Sequence, residues 1–116
     1  MIRVARASGY EVEPIHGIAA QRFVDAADGR GVPELEADMA ASVQFLTGGR
    51  PSLLQDVMKK RRTEVEYLNG HVSLQAREHG LAVPLNDAVV AEFRRLGLGF
   101  TPEPSRLEPL SALLPR

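Results

Sequence analysis

An all-α fold is what this sequence predicts, and three observations carry that expectation. Apolar residues recur at helical spacing through most of the 116 residues. No run alternates apolar and polar side chains over a useful length, and no hairpin signal appears. Aromatic residues make up only 5% and tryptophan is missing, so the core must be built from Leu, Val, Ile and Ala, which favours packed helices over a sandwich. This length suffices for about one small domain with a single core.

Met1 to Ser8 places Ile2, Val4 and Ala5 on helical spacing before Gly9, and so reads as the last turns of a helix. Pro14 biases Glu13 away from helix, which makes EVEPIH a short extended connector. Ile18, Ala19, Phe23, Val24 and Ala27 form one apolar stripe, predicting a helix from about Ile15 to Ala27 that Gly29 and Gly31 stop. Pro33 suits a first helical turn, and Leu35, Met39, Val43 and Leu46 continue at helical spacing to about residue 46. TGGRP then reads as a flexible joint.

The stretch from Arg50 to Leu96 is denser in signals. Ser52 with Gln55, and Thr63 with Glu66, both read as capping boxes, so two helix starts sit eleven positions apart. Pro51 suits the non-helical entry to the first. The second helix should stop at Gly80, with Arg77 and His79 in its last turn. Pro84 blocks continuation, Asn86 can cap a third helix, Asp87 suits its first turn, and Gly97 ends it. The apolar sets are Leu53, Leu54, Val57 and Met58, then Val65, Leu68, Val72 and Ala76, then Ala88, Val89, Phe93 and Leu96. Together these elements predict a helical bundle of about five helices over 1–98. The tail, 99–116, carries four prolines and is expected to be extended and partly ordered. Its Leu107, Leu110, Leu113 and Leu114 could dock on a groove, here or on a partner.

Composition narrows the chemistry. A formal charge of −1 gives no reason to expect nucleic acid or an anionic membrane as a partner. The absence of cysteine excludes disulfides and thiolate metal sites. No apolar run approaches the ~20 residues of a membrane span, and the N-terminus lacks a secretory signal, so the expected location is cytoplasmic. His16, His71 and His79 have no metal-binding spacing, and no metal is expected. Lys59 to Arg62 is a run of four cations, which usually marks a solvated helix end; contact with a cofactor phosphate or a partner domain is the alternative. No GxGxxG follows a strand, and the GGR of Gly48 to Arg50, after a helical segment, is a poor substitute.

PSLLQD, RRTEVEYLNG and REHGLAVPLND occur in an order and spacing that resemble the C-terminal helical domain of the ketopantoate reductase (2-dehydropantoate 2-reductase) family. The usual pattern of that family is PSMLQD, GRxTEID, xNG and HGxxxPxN, and the resemblance covers most of the chain. It implies a fold like the C-terminal domain of 6-phosphogluconate dehydrogenase. It also implies part of an NADPH-dependent oxidoreductase of pantothenate biosynthesis, with a separate Rossmann domain holding the cofactor and a 2-oxo acid as substrate. No cofactor is expected on this chain alone, which should not turn over. In the resemblance the chain begins partway into the domain, without most of a first helix.

For the site, the resemblance implies that Ser52 binds the substrate carboxylate and that Glu64 contacts the hydroxyl or keto group being interconverted. The plainer reading makes Ser52 an N-cap and Glu64 a first-turn charge. The catalytic lysine that the family carries on the first helix has no counterpart, since no lysine precedes Lys59, and no proton donor is carried over. The family's glycine near Lys60 and its aspartate at Glu66 are also replaced. Asn69 and Gly70 match the family's NG and are expected to serve packing, the glycine by letting another backbone approach. The competing hypothesis is a helical interaction module without catalysis. A homodimer is expected under either, because a shortened first helix would leave apolar stripes uncovered.

Overall fold

The computed structural model describes residues 1–44, 49 and 51–114. Among them are seven α-helices, one 3-10 turn and no strand, so the class is all-α with more and shorter helices than the five expected. They form two compact units, 1–49 and 50–114.

The first unit holds α1 (Ile2–Ala7), α2 (Ala20–Ala27) and α3 (Val32–Val43), with α2 packed on both others. Its buried cluster is Ile18, Ala26 and Leu35, with Phe23 and Val32 against it. Exposed ion pairs join Arg3 to Asp28 and Arg22 to Asp38, and pairs of this kind contribute little. The helix expected from Ile15 starts instead at Ala20. Ahead of it, Ile15 and Ile18 exchange backbone hydrogen bonds of 2.9 and 3.0 Å around His16 (φ 50°) and Gly17 (φ 79°). Positive φ at both central residues is the signature of a type I′ turn, a hairpin device that the His-Gly pair does not advertise. Ala27 is exposed and Ala26 buried, so the apolar stripe is rotated from the expected one. α3 ends at Val43, and Leu46 with most of the expected joint lies outside the described residues.

The second unit holds α4 (Ser52–Met58), α5 (Val65–Glu78), α6 (Pro84–Leu96), a 3-10 turn (Pro104–Leu107) and α7 (Glu108–Ser111). The pairing of α5 with α6 is its centre. The buried stripe of α5 is Val65, Ser73 and Ala76, while Leu68, expected in the core, is 54% exposed. On α6 the buried residue is Val90, which the expected apolar set omitted. The tail is not simply extended. Phe100 meets Phe93 edge-on at 5.7 Å, Arg106 lies over the Phe100 ring, and α7 packs against α6. Burying aromatic surface on α6 orders residues that proline content alone would leave open. Leu110 is half-buried there, whereas Leu107, Leu113 and Leu114 stay exposed. No helix among the described residues is long and apolar enough to cross a membrane.

α1, α2, α4 and α5 end in the same hydrogen-bond pattern, in which the two residues past the C-cap donate back to the last turn. Glycine takes the left-handed position after α1, α2 and α5, at Gly9, Gly29 and Gly80. After α4 it is Lys60, at φ 55°. A side chain there costs about 1 kcal/mol against glycine. The Lys60 stem returns part of that by covering Gly99, whose added Cβ would lie 2.9 Å from Lys60 Cγ. Lys60→Gly is therefore expected to raise the melting temperature by a few degrees, about what a gain of less than 1 kcal/mol yields in a small domain. Lys60→Ala keeps the backbone penalty and should give no gain in the same thermal scan.

Candidate functional site

Both sequence-selected residues lie at helix starts of the second unit, but neither capping box forms. α4 takes Pro51 as its N-cap, with the Gln55 amide donating to the Pro51 carbonyl at 3.1 Å, so Ser52 becomes the first helical residue. No side chain caps this helix. α5 starts at Val65 with Glu64 as N-cap, and the amides of Tyr67 and Leu68 donate to the Glu64 carbonyl at 2.9 Å. Thr63 thus stands one place too early to cap. Ser52 and Glu64 are both exposed, and neither side chain has a partner among the described residues. The capping role that would have explained Ser52 without a ligand is not exercised.

Glu66, expected to reach back and close the second box, is turned the other way. Arg94 grips it in a fork, Nε to Oε1 and Nη2 to Oε2, both 2.6 Å. This pair ties α5 to α6 across 28 residues. Hydrogen bonds from Arg94, followed by the fields of Arg94 and Arg62, hold the Glu66 carboxyl below the usual carboxylate range. A lowered folded-state pKa stabilises above the unfolded value, and that contribution disappears as pH falls through the folded value. Stability should therefore decline on acidification below about pH 4.5, and Glu66→Gln should flatten that part of the curve when unfolding is measured by circular dichroism between neutral pH and pH 2.

Asn86 does not cap α6, whose N-cap is Val83. As the third helical residue it instead turns onto α5. Its Nδ2 donates to the Asn69 carbonyl at 2.6 Å and to Ser73 Oγ at 2.8 Å, and its Oδ1 accepts from Asn69 Nδ2 at 2.8 Å. Ser73 is 4% exposed, so this network makes burial of its hydroxyl affordable. Asn69 accordingly serves packing. Gly70 does not mark a close backbone approach: an added Cβ would meet only Glu66 Oε2 at 3.7 Å and the Val65 carbonyl at 3.9 Å, ordinary contacts.

Lys59 to Arg62 are exposed just past the end of α4. A groove of about 280 Å³ opens beside them. Thr63 and Val65, on either side of Glu64, contribute to its wall, but Glu64 and Ser52 do not. Three groups of chemistry-bearing residues thus separate: the exposed Ser52 and Glu64, the structural network at Asn86, and the cationic groove. Sequence reasoning missed the Glu66 to Arg94 fork, because neither residue carries a local signal of the other. Among the described residues no cluster of histidine and carboxylate could hold a metal ion.

Comparison with known proteins gives consistent results. The family described as ketopantoate reductase PanE/ApbA C terminal matches residues 1–97. Curated relatives include the 2-dehydropantoate 2-reductases of Shigella flexneri, 40% identical, and Salmonella typhimurium, 42% identical, each match covering 41% of this chain and 18% of the relative. That of Vibrio cholerae is 32% identical, with 47% of this chain and 18% of the relative covered. The matched stretch is thus less than a fifth of the length of these relatives. No solved structure gives a significant match.

Proposed function

This chain belongs to the ketopantoate reductase PanE/ApbA C-terminal family, and from that membership we propose that it is the substrate-side domain of an NADPH-dependent reductase that converts ketopantoate to pantoate. The observation that carries the reading is the free state of Ser52 and Glu64, two exposed polar side chains at the starts of consecutive helices, with no structural partner among the described residues. In this reading the Ser52 hydroxyl donates to the substrate carboxylate. Glu64 accepts a hydrogen bond from the hydroxyl of the product, or orients the keto group, and so fixes the face presented for reduction. Among the described residues there is no strand leading into a Gly-rich turn that could cradle a dinucleotide, so NADPH would be held by a Rossmann domain outside these 116 residues. The hydride belongs to that cofactor, and no residue of this chain is assigned as the proton donor.

The test is NADPH oxidation with ketopantoate, using the chain alone and mixed with a separately expressed cofactor domain from a related reductase. Turnover is expected only in the mixture. Glu64→Ala should lower kcat by roughly two orders of magnitude or more, and Ser52→Ala should raise KM roughly tenfold, the scale of one hydrogen bond to a charged group. Turnover in the mixture that ignores Glu64→Ala would defeat the assignment.

The second reading, a non-catalytic dimerisation module, draws on a different observation. Tyr67 and Leu74 on α5 are 75% and 48% exposed, and their separation of seven residues puts them on one face. A homodimer joined through that face is compatible with either reading. Light scattering checks it: Leu74→Glu should halve the particle mass, and a monomeric parent would remove dimerisation from both.

A further inference from the structure

We propose that the groove beside the end of α4 is a binding site for a small amphipathic anion, with Arg61 and Arg62 taking the charged head and Val57, Val65, Phe93 and Leu98 the apolar body. This is separate from the Ser52 and Glu64 reading and does not rest on it, since neither residue lines the groove. Three features single the groove out from an ordinary solvated rim. First, its cations are unspent. Both oxygens of Glu66, which also lines the groove, are held by Arg94, whereas neither the Arg61 nor the Arg62 side chain makes a hydrogen bond or ion pair among the described residues, and Arg62 reaches Glu66 only through its field. An excess of positive charge therefore gathers here on a chain whose formal charge is −1. Second, the apolar lining is fixed. Val57 and Val65 are 5% and 3% exposed, and Phe93 is braced edge-on by Phe100, so the floor is preformed. Third, the rim is kept low by backbone alone, because Gly97 and Gly99 line it without side chains at φ 66° and 68°.

Guanidinium groups favour planar or multiply charged oxyanions, which they bind by paired hydrogen bonds. A volume of about 280 Å³ lies at the small end of ligand sites, which limits the body to a short alkyl or branched chain. The chemical class is thus a short-chain carboxylate or phosphate monoester, and the two heads can be compared directly.

The experiment is a titration of the whole chain, labelled with ¹³C at methyl groups and ¹⁵N at arginine side chains, with hexanoate, hexyl phosphate, inorganic phosphate and hexanol in turn. The expected result is saturable shifts at Val57, Val65 and the Arg61 and Arg62 Nε resonances with hexanoate or hexyl phosphate. Whichever of the two binds more tightly identifies the head. Inorganic phosphate and hexanol should each bind at least roughly tenfold more weakly, each lacking half of the recognition. Arg61→Gln with Arg62→Gln should weaken binding roughly tenfold, and Arg61→Lys with Arg62→Lys should restore part of it, with unchanged circular dichroism showing that the fold is intact. Hexanol or inorganic phosphate binding as well as the amphipathic anions, or binding indifferent to the glutamine pair, would overturn the proposal.

Discussion

Leu35→Ala is expected to unfold the first unit while leaving the α5 to α6 pair protected. Leu35 is 7% exposed and belongs, with Ile18 and Ala26, to the buried cluster of residues 1–49. Truncating a buried leucine costs about 2 to 5 kcal/mol, the lost transfer energy plus the cavity left behind. A unit of this size has a total stability of roughly 2 to 7 kcal/mol at typical values per residue. One substitution can therefore consume most of it. Amide hydrogen exchange decides the matter: α2 and α3 should lose protection in the variant, and α5 and α6 should keep theirs. Leu35→Met conserves volume and should restore protection. If α2 and α3 remain protected in the alanine variant, the small cluster is not what holds this unit.

Asn86→Ala should be the most damaging polar substitution in the second unit. It removes the partner of the buried Ser73 hydroxyl and of the Asn69 amide at once. Leaving buried polar groups unpaired costs about 1 to 3 kcal/mol, more than the hydrogen bonds themselves contribute net. The same reasoning gives a sharper prediction for the double variant. With Ser73→Ala already present, one of the groups orphaned by Asn86→Ala is gone, so the second substitution should cost less than it does alone. A coupling of at least about 0.5 kcal/mol in chemical denaturation is expected. Strict additivity would mean that the network is not energetically linked.

Much of the local structure is legible in the sequence. Gly9, Gly29 and Gly80 end their helices through left-handed conformations, because this geometry depends on a missing Cβ and on little else. Pro33 and Pro84 sit in first turns for an equally local reason, the fixed φ and absent N–H. The errors share a different origin. His16 and Gly17 hold a tight turn where an apolar stripe suggested helix, since the stripe reports burial and Ile18 is buried without being helical. Lys60 holds a left-handed position that glycine would hold more comfortably.

The candidate site was legible in part. The motif order pointed to Ser52 and Glu64, the two positions on which the proposed function places the substrate. Their local roles were misassigned, because helix starts can shift by a residue at no cost visible in a four-residue pattern. Pro51 took the N-cap place before Ser52, and Glu64 took the one that Thr63 seemed to own.

By itself, the sequence determined that this protein is all-α, where most of its helices stop, and which family it resembles. These follow from backbone preferences and apolar periodicity, which act over a few residues. Only the tertiary structure decided which face of each helix is buried, that Asn86 reaches Ser73 rather than its own helix end, and that Arg94 rather than the local backbone claims Glu66. Those outcomes depend on side chains brought together from 13 and 28 residues apart. Packing α5 on α6 sets the competition between a local cap and a distant partner, and the distant partner wins where it satisfies a buried or charged group more completely.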